Sequence, residues 1–126
     1  MTFKTDYKAV HGLGSAKEGT AHFISQRLTA IALIFLAPAF LIPFMQNLGG
    51  DHADVLATYQ HPFHALVAIG FFLVMFRHLR LGLQVVIEDY IHGERLRMAC
   101  MIFNALAWRA FAVAGAFAIV KIALGA

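Results

Sequence analysis

The apolar positions of this chain gather in three long blocks instead of alternating with polar ones. A helix needs about 20 mostly apolar residues to cross the hydrocarbon core of a bilayer, at about 1.5 Å of rise per residue. The first block starts after Arg27 and reads LTAIALIFLAPAFLIPFMQNLGG, with no charge before Asp51. The second runs from Pro62 to Glu88: FHALVAIGFFLVMF leads into Arg77, His78 and Arg80, and LGLQVVI follows. The third, from Leu96 to Leu124, contains Asn104 and Arg109. The pattern predicts an all-α integral membrane protein: a bundle of three transmembrane helices in a single domain. The expected spans cover about residues 28–48, 62–88 and 98–122, after an N-terminal segment 1–27. Pro38 and Pro43 fall inside the first, where membrane helices tolerate proline because neighbouring helices re-satisfy the freed carbonyls.

Composition agrees. Of 126 residues, 60% are hydrophobic and 13% charged, against about 25% charged in a typical soluble domain. Too little polar surface is available to cover a water-soluble monomer. The single cysteine, Cys100, excludes an intrachain disulfide and any thiolate cluster for a metal or iron–sulfur centre. The net charge of +3 does not point to nucleic acid, because the basic residues flank apolar blocks and form no stripe. Met1 to Lys17 is mixed polar without an apolar core, so no cleaved signal peptide is expected there.

Flanking charge predicts the orientation. Lys4, Lys8, Lys17 and Arg27 precede the first span, and Arg95 and Arg97 lie between the second and third. The first loop, from Asn47 to His61, carries Asp51 and Asp54 but no Lys or Arg. By the positive-inside rule the N-terminus and second loop are cytoplasmic. Arg109 fits least well, since a cation at mid-membrane costs at least ~2.5 kcal/mol. Three arrangements accommodate it: the side chain snorkels, it meets a partner or wet cavity, or residues 96–108 lie along the interface and the span starts later.

Polar groups inside a membrane are costly and mark function by default. The second block carries the informative set: His78, Gly82, Gln84, Glu88, Asp89 and Tyr90. At about 100° per residue, His78 and Asp89 project within ~20° of each other, and Gly82 lies over the same face one turn after His78. A neutral imidazole at membrane depth is a good axial ligand for haem iron, and a nearby glycine lets a flat macrocycle approach. Equally, His78 can hydrogen-bond a neighbouring helix while Gly82 aids packing; on the residues alone both readings stand. The first and third blocks contain no histidine, and His64 lies about 21 Å from His78 along the helix. A bis-histidine haem would therefore need a second ligand from another subunit. Tyr90 suits either an aromatic interface anchor or a hydrogen-bond donor to a quinone carbonyl, with Asp89 beside it steering protons.

The run from His78 to Asp89-Tyr90, with glycine four residues after the histidine, resembles the signature of the succinate dehydrogenase hydrophobic membrane anchor family. Gly12 to His22, continued by Gln26-Arg27-Leu28-Thr29-Ala30, is similar to that family's entry into its first helix, in its alphaproteobacterial and mitochondrial-type branch. The resemblance covers nearly the whole chain. It implies that His78 is an axial ligand to the iron of haem b, that Tyr90 hydrogen-bonds ubiquinone, and that Asp89 shapes the quinone pocket. Arg27 resembles the family's arginine near the haem propionates and quinone; His22 and Ser25 lie at the same end without an assigned role. Arg109 departs from the apolar residue expected at its position.

Further expectations follow from the resemblance: a bacterial inner-membrane, multi-pass subunit of succinate:quinone oxidoreductase in the tricarboxylic acid cycle and aerobic electron transport. Its implied partners are a cytochrome b anchor subunit supplying the second haem histidine, an iron–sulfur subunit, a flavoprotein and the lipid bilayer. This chain itself has no Gly-rich dinucleotide fingerprint and no cysteine set, so no flavin or dicarboxylate site is expected in it. The competing readings are an anchor of a quinol–fumarate reductase, a non-redox membrane scaffold, and a small transporter. No internal repeat supports the last.

Overall fold

A computed structural model describes residues 5–11 and 19–125. Lys4, Lys17 and most of the Gly12–His22 motif lie outside the described residues. The described residues form helices only: α1 (Asp6–His11), α2 (Gly19–Gln46), α3 (His52–Gln60), α4 (Pro62–Tyr90) and α5 (Glu94–Ala123). Three of them, α2, α4 and α5, are long and apolar enough to cross a membrane.

Local sequence explains where each helix starts and stops. Helix α2 passes through Pro38 and Pro43 and ends at Gln46. There the Asn47 side chain donates to the Pro43 carbonyl at 2.7 Å and to Thr58 Oγ1 at 3.0 Å. Gly49 takes a positive φ of 85°, a conformation open to glycine because it lacks a Cβ. The expected loop of residues 47–61 thus holds a helix of its own. Its start is set by the Asp54 carboxylate accepting the Asp51 N–H at 3.2 Å, a capping arrangement that satisfies a free backbone donor. Helix α4 opens with Pro62 behind the N-cap His61, whose ring accepts the Phe63 N–H. Proline suits that first position because its missing N–H would have no partner there anyway. Gly93 caps α5 after a connection of only three residues, 91–93, so α4 and α5 run antiparallel.

Helix α4 is the middle of the bundle, packed on α2 along one side and on α5 along the other, with α3 resting on α4 and α5. Aromatic rings fill the seams. Phe40 of α2 stacks on Phe71 with centroids 4.5 Å apart, and Phe76 stacks on Phe111 of α5 at 5.6 Å. Gly115 of α5 sits directly over Phe72: a Cβ there would lie 2.9 Å from the ring. Tyr59 of α3 joins Ala65, Ala68 and Ile119 in the buried cluster. Burial pushes its phenol pKa upward, and its hydroxyl has no partner among the described residues.

This core is thin. The total accessible surface is 9573 Å², whereas a globule of this length exposes about 6,700 Å². Ile34, Phe35, Leu66, Phe103 and Phe117 all point outward and are more than two-thirds exposed. Such a surface is stable against lipid or another helix, not against water.

Arg109 takes a definite place. Helix α5 runs through Trp108 and Arg109 unbroken, so residues 96–108 are not a separate interfacial element. The exposed guanidinium reaches back one turn, donates to the Ala105 carbonyl at 2.6 Å and lies over the Trp108 ring at 5.0 Å. It leans toward the end of α5 that carries Arg95 and Arg97, the direction in which a cation snorkels to a basic interface.

Candidate functional site

His78 lies half-buried on α4, facing α2. Its Nδ1 is 2.9 Å from the hydroxyl of Thr29, which is 8% exposed and is the buried residue of α2. Thr29 in turn reaches the carbonyls of Ser25 at 2.9 Å and Gln26 at 3.0 Å. The other ring nitrogen, Nε2, has no hydrogen-bond partner among the described residues. One turn on, Gly82 leaves the surface flat; a Cβ there would meet only Gln26 Nε2, at 3.7 Å. One nitrogen thus contacts α2, and the other makes no hydrogen bond among the described residues.

From this point toward Tyr90, α2 and α4 enclose a polar groove of about 570 Å³. His22 and Ser25 line it from α2, and Arg77, Arg80, Gln84 and Glu88 line it from α4. Among the described residues, two polar atoms at this end are buried without partners, His22 Nε2 and Gln26 Oε1. An orphaned buried acceptor or donor costs about 1–3 kcal/mol, so such groups point to a missing neighbour. The sequence had marked His22 and Ser25 only by location; Gln26 and Thr29 it did not mark at all as site residues. A groove on the opposite side of α4, about 480 Å³, is almost wholly apolar and runs between α4 and α5 past Cys100 and Trp108.

The other expected site residues stand apart from His78. Arg27 is exposed on α2 and its guanidinium lies over Phe23, 5.1 Å from the ring centroid. Being two positions before Thr29, it projects about 200° away from it. Asp89 and Tyr90 end α4, both exposed, with Tyr90 78% accessible; twelve residues place Tyr90 about 18 Å from His78 along the axis. The geometry brings together His78, Thr29, Gln26 and Gly82. It leaves Arg27, Asp89 and Tyr90 at the rim, presented outward.

A model of the succinate dehydrogenase/fumarate reductase transmembrane subunit family matches residues 1–121. The chain belongs to that family. Among its curated relatives is the succinate dehydrogenase hydrophobic membrane anchor subunit of Paracoccus denitrificans, 36% identical over all of this chain and 97% of the relative. The subunit of the same name from Rickettsia bellii (strain RML369-C) is 32% identical over 89% of this chain and 93% of the relative. No solved structure matches. For a member of this transmembrane family, the outward apolar faces and three long helices are what a multi-pass protein requires.

The residues present fit a haem. A b-type haem wants an axial nitrogen from a neutral imidazole, with its second nitrogen hydrogen-bonded to fix the ring. His78 offers such a ring, with its Nδ1 2.9 Å from the Thr29 hydroxyl.

Proposed function

We propose that this chain is the membrane anchor subunit of a succinate dehydrogenase, that His78 is one axial ligand of a haem b shared with a second anchor subunit, and that Tyr90 and Asp89 form part of a ubiquinone site. The observation that carries the reading is the His78 ring, with Nδ1 2.9 Å from the Thr29 hydroxyl and Nε2 without a hydrogen-bond partner among the described residues. Full-length similarity to proteins named as succinate dehydrogenase anchors supports it.

In this reading the bound haem supplies a one-electron carrier at membrane depth. The chain's own residues hold and surround it. His78 contributes the ligand, Gly82 gives a face without a side chain, and the groove with His22, Arg77 and Arg80 offers donors to anionic groups at the basic end. Arg27 lies at the same end, near the propionates or the quinone. Tyr90 donates its phenolic proton to a quinone carbonyl, and Asp89 conducts protons from the cytoplasmic side. A cytochrome b subunit supplies the second histidine. An iron–sulfur subunit and a flavoprotein dock on the cytoplasmic face, where succinate is oxidised outside this chain. The N-terminus is cytoplasmic, and the membrane is the bacterial inner membrane.

The test is a reduced-minus-oxidised absorption spectrum of the complex copurified with the tagged chain, comparing wild type with His78→Ala. A b-type band that is lost or displaced in the variant is expected. A wild-type complex without haem, or a band indifferent to the substitution, removes the ligand role.

A further inference from the structure

We propose that Thr29 is a positioning residue for the haem ligand: its hydroxyl oxygen accepts the Nδ1–H of His78, fixing the tautomer in which Nε2 is the iron-binding nitrogen. This rests on the haem role given to His78 above and names the group on α2 that prepares it.

Counting protons gives the direction of each bond. Iron takes a lone pair, so a neutral ring bound through Nε2 carries its one proton on Nδ1. That N–H is buried against α2 and needs an acceptor. Thr29 Oγ1, at 2.9 Å, provides one. The hydroxyl has a single proton of its own, and the Ser25 and Gln26 carbonyls, at 2.9 and 3.0 Å, are acceptors only. All three contacts are satisfied together when His78 donates to Thr29 and Thr29 donates to its own helix. The rotamer is fixed from the α2 side, because a threonine in a helix turns its hydroxyl onto the carbonyls three and four residues back. With Thr29 8% exposed, water is a poor competitor for the bond. The consequence is electronic as well as steric. A hydrogen bond accepted from the distal nitrogen of a metal-bound imidazole raises ligand basicity, and its loss typically weakens metal binding about 10- to 100-fold. A more basic ligand favours ferric over ferrous iron, so Thr29 holds the haem potential down.

The experiment is a redox titration of the b-type band, with haem content per chain, in complexes copurified with wild-type, Thr29→Val, Thr29→Ser and His78→Ala chains. Thr29→Val keeps the shape and removes the hydroxyl: its midpoint should move upward and its haem be retained about tenfold or more less tightly. Thr29→Ser should keep the wild-type midpoint. A haem that responds to His78→Ala but has the same midpoint in Thr29→Val overturns the Thr29 role while leaving the ligand assignment intact. An equal shift in Ser and Val overturns it too, since the hydroxyl would not be the cause. Should Val block assembly, Thr29→Ala takes its place; assembly with Ser but with neither Val nor Ala would make Thr29 a folding residue and overturn the tautomer role. A wild-type complex lacking haem fails at the earlier step and takes both readings with it.

Discussion

A histidine that only packs and a histidine built to bind iron differ in what each ring nitrogen does. In His78 the inner nitrogen meets Thr29, and among the described residues the outer one has no hydrogen-bond partner. The sequence could not name Thr29 as the partner because it lies 49 positions away, on a helix whose rotation about its axis cannot be read from a uniformly apolar block. Tyr90 is a different case. It is 78% exposed at the end of α4 and has little packing to lose. Tyr90→Phe should therefore leave the bundle intact and, on the quinone role proposed for it, remove one neutral hydrogen bond worth about 0.5–1.5 kcal/mol, or roughly 2- to 12-fold in rate. Assayed in the complex, quinone reduction should fall by that factor while succinate oxidation with a soluble artificial acceptor stays near wild type. Equal loss of both activities would show that Tyr90 acts on assembly and not on quinone.

Between helices, the seam of α4 with α5 is tight where Gly115 meets Phe72. Phe72 is itself hemmed by Phe40, Phe71 and Phe76, so its ring has little room to move. Gly115→Ala should cost about 1–3 kcal/mol by overpacking. Gly70→Ala makes the control, because its added methyl would meet Leu36 at an ordinary 3.6 Å. Thermal unfolding of the purified complex in detergent should show a lower midpoint for the first and little change for the second; equal midpoints would mean the helices part easily at Gly115. A polar staple reinforces the same seam: buried Asn104 donates to the Arg80 carbonyl at 3.0 Å. The three long helices were legible from block length and missing charge alone. Helix α3 was not, because nine residues with Val55, Leu56 and Tyr59 make too short an apolar face to stand out. Its signal was present in Asp51 and Asp54, an acceptor pair three apart ahead of that face. Likewise Arg109 was visible as an anomaly, but only the path of its side chain back to Ala105 resolves it.

As a whole the chain leaves most of its apolar surface outward. Among the described residues six apolar side chains are buried, a partly polar groove lies along the α2–α4 pair, and at that end His22 Nε2 and Gln26 Oε1 are buried without partners. Its imidazoles are distributed to the same effect. His64 is bound to the Thr58 carbonyl at the opposite end of α4, about 21 Å from His78. His22 is seven residues before Thr29 on α2, so about 10 Å along the axis from the level of His78. His92 follows α4 near the Tyr90 carbonyl. None of these shares the depth at which His78 sits, and rigid packed helices cannot slide two turns to bring one there. The isolated chain, purified in detergent and supplied with haem, should therefore give at most a five-coordinate or solvent-ligated species. The six-coordinate low-spin spectrum should arise only when a second anchor subunit is present. A bis-histidine spectrum from this chain alone would mean that a second copy supplies the other imidazole, which concentration dependence of the band would reveal, and the haem would then belong to a homodimer instead of a pair of unlike anchors.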